Sequence, residues 1–245
     1  MTSTDGAGPP KTHRRRLGRA AIFGLGVASV LFGVGALVRS RWDPLIDLDD
    51  ALLTRLVGVT RDNPWLLDAA HVWELVTQPL LLHSIGTALC LWVWLGKGLR
   101  TRAWWAFATL MASWVLGLTA KYIFQRARPT IEDPVSEAPG YSFPSGHALN
   151  SAAFATTVVI LLWPLVTTRL LRGVLVAAAV VLVGLTMVDR MFLGVHYPSD
   201  VTVGLITGSG LAIASYLGYV GWNPRDARPP QDPDQDAHPR PSETR

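Results

Sequence analysis

The stretch YSFPSGHALNSAAFATTVVILLWPLV, Tyr141 to Val166, decides the fold. From Ala148 to Thr168 the chain carries no Asp, Glu, Lys or Arg, and a bilayer is crossed by roughly 20 predominantly apolar residues. The run is entered through Pro144-Ser145-Gly146-His147, although a chain about to enter lipid has no need of an imidazole at its threshold.

Five further runs lack those four residue types: Ala20–Val38, Leu75–Gly96, Ala103–Ala120, Gly173–Val188 and Val201–Pro224. The fifth in chain order is short unless Leu170 and Leu171 extend it across Arg172. Hydrophobic residues make up 49% of the 245 and charged residues 16%, too little charge for an ordinary soluble surface. A soluble helical protein is disfavoured, because six such runs exceed the core of a domain this size. The prediction is an all-α polytopic membrane protein with six transmembrane helices. Residues 20–222 form the six-span domain, preceded by a basic, disordered leader (1–19) and followed by a Pro-rich, disordered tail (223–245).

Positive charge sets the orientation. Lys11, Arg14, Arg15, Arg16 and Arg19 precede the first run, Lys97, Arg100 and Arg102 follow the second, and Arg169 and Arg172 follow the fourth. These fall on one side, which places both termini in the cytoplasm. The first run is longer than a signal-peptide core and no small-x-small site clearly follows it, so an uncleaved anchor is expected. The net charge of +4 fits topology and lipid headgroups as partners, with no nucleic acid, since no aromatics interleave with the basic residues. Cys90, the only cysteine, forms no internal disulfide. Trp42, Trp65, Trp92, Trp94, Trp104 and Trp105 read as interfacial belts, and Gly204-x-x-x-Gly208 as a close helix contact. His13 and His238 are expected in solvent, and His71 and His83 in structural roles. The stretch from Arg39 to Trp73, rich in Asp, is expected to include an interfacial helix.

Three segments should meet on the extracytoplasmic side. The third run ends in Lys121, Arg126 and Arg128-Pro129, cations on the side where positive charge is disfavoured. Lys121 and Arg128 stand seven apart and share a face if the helix persists to Pro129. Taken alone, they could equally serve the helix dipole or snorkel to headgroups. Ser145 and Gly146 open the fourth span, where free amides make an anion site; an N-cap role for Ser145 is compatible with that. After the fifth span, Arg190 precedes His196, and Asp200 follows His196 by four, within reach of its ring on a helical turn.

Three cations, a helix N-terminus and two imidazoles fit a phosphate and its transfer. Lys121, Arg128 and Arg190 would hold the phosphate oxygens together with the Ser145 and Gly146 amides. His196, oriented by Asp200, would attack phosphorus, and His147 would protonate the leaving group and then activate water. A metal centre built on the histidines and Asp200 is disfavoured by the surrounding cations, so no metal and no cofactor is expected. A Ser-His-Asp hydrolase leaves the cations without a role.

Lys121-x6-Arg128-Pro129, Pro144-Ser145-Gly146-His147 and Arg190-x5-His196-x3-Asp200 resemble, in order and spacing, the signature motifs of the type 2 phosphatidic acid phosphatase (PAP2) superfamily. The resemblance implies a PAP2/haloperoxidase-like helical bundle in the cytoplasmic membrane. It implies metal-independent dephosphorylation of a lipid phosphate at the outer face, by the roles given to His147, His196 and Asp200. Undecaprenyl diphosphate, phosphatidylglycerol phosphate and phosphatidic acid are the lipids such proteins act on. Family members usually carry Ser before the third motif's Arg, where this chain has Asp189, which puts the strength of anion binding in question. Two alternatives keep the same site: a lipid phosphotransferase and a non-catalytic lipid-phosphate binding protein. Between the first two motifs, Thr130 to Phe143 carries Glu132, Asp133 and Glu137 and reads as a lid, a selectivity element or a solvated connector.

Overall fold

The computed structural model describes residues 11–131, 135, 136 and 138–222, with side chains from Arg15 to Val220. Among these residues the chain forms eight helices: α1 (Lys11–Arg39), α2 (Asp43–Arg61), α3 (Pro64–Val76), α4 (Pro79–Lys97), α5 (Arg100–Phe124), α6 (Gly146–Leu162), α7 (Arg169–Phe192) and α8 (Pro198–Trp222). Five of them, α1, α4, α5, α7 and α8, are long and apolar enough to cross a bilayer. The remaining predicted span is α6, which has only 17 residues, about 26 Å of helix against roughly 30 Å of hydrocarbon.

The expected run continued to Thr168, but Pro164 has no amide with which to extend the helix. The carbonyls left at that end are taken by Arg102 of α5, whose Nη2 donates to Ile160 at 2.5 Å and Nε to Leu161 at 3.3 Å. A cation at a helix C-terminus is also favoured by the helix dipole. Arg102 is therefore buried at the end of α6 rather than held at the membrane surface.

Short and apolar all round, α6 lies at the centre of the bundle, with α4, α5, α7 and α8 packed against it. Its closest neighbour is α8. A Cβ added at Gly208 would stand 2.1 Å from the Leu149 carbonyl oxygen, and one at Gly204 would stand 3.0 Å from that of Ser145. The Gly204-x-x-x-Gly208 spacing is thus the α6–α8 contact, backbone against backbone.

The Asp-rich stretch before the second span holds two helices where one was expected. α2 buries Asp49, Leu53, Val57 and Thr60, a single helical stripe that faces α7 and α8, and α3 packs on α7. The leader, expected to be disordered, is helical from Lys11 onward as the first turns of α1. Residues 1–10, the tail 223–245 and the loop acids Glu132, Asp133 and Glu137 lie outside the described residues, with His238 among them.

Trp42, Trp65, Trp92 and Trp104 are exposed, as belt residues should be. Trp105 is a core residue instead, its Nε1 donating to Ser215 Oγ at 3.1 Å. His83 is buried with its ring nitrogens 2.7 Å from the Pro79 carbonyl oxygen and 2.9 Å from that of Leu110, a structural role.

Because the atom facing Gly208 is backbone, no rotamer change relieves an added methyl group. Gly208→Ala should destabilise the detergent-solubilised protein by about 1–3 kcal/mol, read as a drop in its thermal unfolding midpoint; an unchanged midpoint would show that α6 and α8 are not in contact there.

Candidate active site

Helix α5 does not reach Pro129. Gln125 adopts a left-handed conformation (φ 49°) and ends the helix one residue after Phe124. Lys121 therefore stays on the last turn, while Arg126 and Arg128 leave the helix and turn into the bundle. Lys121 Nζ donates to the Tyr141 carbonyl at 2.5 Å. Arg128 donates to the carbonyls of Gly140 (3.1 Å), Pro139 (2.9 Å) and Val195 (2.7 Å), and its Nη1 lies 3.3 Å from His196 Nε2. Both cations are fixed by neutral backbone oxygens, which orient the charge without cancelling it.

At the start of α6, Ser145 is the N-cap, its Oγ accepting from the Ala148 amide at 3.4 Å. Its own amide donates to the Asp200 carbonyl at 3.1 Å. The expectation that the Ser145 amide binds phosphate is corrected accordingly: that donor is spent joining α6 to α8. The amides of Gly146 and His147 remain, at positions where no carbonyl stands four residues back to receive them. His147 Nε2 is buried and finds no protein partner among the described residues.

α7 ends in a two-bond Schellman turn: Val195 N donates to the Arg190 carbonyl at 3.3 Å and Gly194 N to that of Met191 at 3.0 Å. The turn needs the left-handed conformation at Gly194 (φ 68°), where an added Cβ would also meet Ile131 at 2.8 Å. It folds His196 back under Arg128. Pro198 then starts α8 and places Asp200 in the first turn, where Oδ2 accepts from the Tyr197 amide at 3.0 Å, the back-bond of a capping box. The same oxygen receives a very short hydrogen bond from Ser142 Oγ. His196 Nδ1 lies 3.3 Å from Ser142 Oγ and 3.5 Å from Asp200 Oδ2. With the Nδ1 proton directed at Asp200, the Nε2 lone pair faces Arg128 and the cavity. Burial pushes the His196 imidazole down to about 3, against the opposing pull of the Asp200 carboxylate.

Arg190 reaches the cavity but not as an uncompensated cation. Its Nε and Nη2 donate to Asp189 Oδ2 at 2.8 and 2.5 Å, and its Nη1 donates to Glu74 Oε1 at 2.8 Å. The carboxylate at 189 is thus the ion partner of the arginine beside it, while its Oδ1 is buried with no partner among the described residues.

These groups surround one cavity of about 300 Å³ whose wall includes Lys121, Arg128, Gly146, His147, Arg190 and His196, with Glu74 and Asn150. All predicted site side chains except those of Ser145 and Asp200 face it; those two stand behind the wall and hold it. Among the described residues no cluster of three His, Cys, Asp or Glu side chains offers a metal site. Sequence reasoning missed Ser142, Arg126, Asp49, Glu74 and Asn150. Arg126 lay inside the cation run and Ser142 two residues before Pro144, but no spacing rule ties Asp49 or Glu74 to residues so far along the chain.

A profile of the PAP2 superfamily matches residues 102–224, the segment from α5 through α8 that carries every motif residue named above. The chain belongs to the PAP2 superfamily. It is 32% identical over 186 residues to decaprenylphosphoryl-5-phosphoribose phosphatase of Mycobacterium tuberculosis, covering 73% of this chain and 93% of that protein. Over 79 residues, 32% of this chain, it is 39% identical to phosphatidylglycerophosphatase B of Escherichia coli, of whose length it spans 29%. The fold is like that of a transmembrane PAP2-type phosphatidylglycerolphosphate phosphatase from Bacillus subtilis, with a TM-score of 0.63 at 21% identity over 76% of this chain and 92% of that one. The likeness of this PAP2 chain to the solved structure concerns fold alone.

An imidazole whose pKa is near 3 stays neutral as pH falls from 8 to 5. In nitrogen-15 histidine spectra of the solubilised protein, with the His196 signal assigned by its loss in His196→Gln, that ring should show no titration over this range; a midpoint near the ordinary 6.5 would contradict the geometry.

Proposed function

We propose that this PAP2 protein is a metal-independent phosphatase of lipid phosphates or diphosphates, with undecaprenyl diphosphate, phosphatidylglycerol phosphate and phosphatidic acid as candidate substrates. The observation that carries this reading is the placement of His196: Nε2 stands 3.3 Å from Arg128 Nη1 on the cavity wall, with Asp200 on the far side of the ring. A nucleophile, its orienting carboxylate and an uncompensated cation are thereby aligned on one small cavity, and phosphoryl transfer asks for that combination.

The phosphate is held by Lys121, Arg128 and the Gly146 and His147 amides, assisted by the donors of Arg190 that its carboxylates leave over. Its arrival draws Arg128 Nη1 from the imidazole to a phosphate oxygen. Nε2 attacks phosphorus while the bond to the lipid oxygen breaks. His147, protonated, gives its proton to that oxygen, and the lipid leaves as an alcohol, or as a monophosphate if a diphosphate entered. The ring of His196, now carrying phosphorus on Nε2 and a proton on Nδ1, is cationic and is stabilised by Asp200. Neutral His147 then takes a proton from water, the hydroxide attacks phosphorus, and orthophosphate and free His196 result.

The cavity opens at the extracytoplasmic face of the cytoplasmic membrane in this reading. Support comes from the positive charge at the opposite helix ends, where Lys97 closes α4 and Arg100 and Arg169 open α5 and α7. Substrate enters sideways from the bilayer, its chain remaining in lipid while the headgroup meets the cations.

Purified protein in detergent with a chelator present should release orthophosphate from at least one of the three lipids and be inhibited by vanadate. His196→Ala should lower turnover on the order of a thousandfold or more. Undiminished turnover in that variant would reject the assigned nucleophile, and a phosphorylated acceptor in place of orthophosphate would make the protein a transferase.

A further inference from the structure

Asp49 and Arg126 take no part in the steps above, yet both are buried, with 1% and 8% of their surface exposed. Arg126 Nη1 donates to Asp200 Oδ1 at 2.7 Å, and Nη2 donates to Asp49 Oδ2 at the same distance. Asp49 Oδ1 accepts from the Ser199 amide at 2.9 Å and Oδ2 from the Ser199 hydroxyl at 2.5 Å. The guanidinium lies 3.9 Å over the Tyr197 ring. One arginine is therefore shared between the carboxylate behind the nucleophile and a second carboxylate brought in by α2.

The sharing has an electrostatic consequence. Phosphorylated His196 is a cation, and what steadies it is the negative charge left on Asp200. An arginine paired with Asp200 alone would cancel most of that charge. Two carboxylates around one guanidinium carry a net charge of about −1 in a medium where such charges are poorly screened. Asp49 also caps the first turn of α8, the turn that carries Asp200.

On the reading that the protein is a phosphatase acting through His196, we infer that Asp49 and Arg126 are positioning residues for that reaction. Arg126 fixes the Asp200 carboxylate against the His196 ring, and Asp49 draws off enough of the Arg126 charge to keep Asp200 an effective anion. α2, which contributes nothing to the cavity wall, thereby acts on the chemistry through the Asp49–Arg126–Asp200 chain.

The test is a charge cycle in the full-length protein in detergent, assayed on whichever lipid phosphate the wild type hydrolyses. Asp49→Asn keeps an acceptor for the Ser199 amide but removes one negative charge. It should lower kcat about tenfold and slow phosphoenzyme formation equally, with KM changed less than about twofold. Asp49→Asn combined with Arg126→Gln returns the net charge beside His196 to that of the wild type and should recover part of the lost kcat. A merely structural role predicts the reverse, the double variant falling below both single ones. That result, an unchanged kcat in Asp49→Asn, or loss of its folded thermal transition would each overturn the inference while leaving the phosphatase reading intact. A wild type that releases no phosphate from any lipid would overturn the reading and the inference with it.

Discussion

The approach of α8 to α6 is the contact on which the site depends. Without side chains at Gly204 and Gly208, the two backbones come close enough for the Ser145 amide to bond the Asp200 carbonyl at 3.1 Å. That bond ties the first turn of one helix to the first turn of the other. The two N-terminal turns carry His147 and Asp200, so these two residues are set relative to each other by backbone rather than by flexible side chains. His196 needs only a tight turn after α7 to fall between them, and Gly194 supplies it.

Charge compensation divides Lys121, Arg126, Arg128 and Arg190 into two kinds. Arg126 and Arg190 are each held by two carboxylates, whereas Lys121 and Arg128 are held by backbone carbonyls. Removing one partner from a buried ion pair costs about 3–5 kcal/mol, so Arg190 does not leave Glu74 and Asp189 cheaply to meet an anion. Two unit charges 4 Å apart attract by about 4 kcal/mol at an effective dielectric constant of 20. On the phosphatase reading, an entering phosphate is therefore drawn mainly to the wall formed by Lys121 and Arg128, the wall that also presents His196 Nε2. These cations serve different purposes: Lys121 and Arg128 present uncancelled charge to the cavity, Arg190 lines it already paired with two carboxylates, and Arg126 braces Asp200 behind it.

Much of this was legible in the sequence because the relevant relations are local. The three-residue gap between His196 and Asp200, a Pro-Ser-Gly-His entry to a helix and long uncharged runs each have a short-range physical meaning, and the ring, the helix start and the bundle follow from them. The condition that the helix persist to Pro129 is not met: it stops at Phe124 because Gln125 adopts a backbone conformation that its residue type does not announce. The short α6 was half visible in Pro164, but the role of Arg102 as the cap for its carbonyls depends on a neighbour about sixty residues away. Asp49 and Glu74 belong to helices whose composition suggested only an interfacial segment. Their partners, Arg126 and Arg190, were visible as cations without any indication of which carboxylates would claim them. Ser145 shows the opposite case: its N-cap role was readable, while the use of its amide against Asp200 is a tertiary fact.

On the phosphatase reading, one ring, His196, carries phosphorus during turnover. Rapid acid-free quenching of the protein during hydrolysis of a lipid bearing radioactive phosphate, followed by alkaline digestion-compatible peptide mapping, locates the label directly. An acid-labile, base-stable label is expected on the peptide containing His196 and should disappear in His196→Ala. A label on His147, or phosphate release at full rate with no labelled protein at any time, would contradict it.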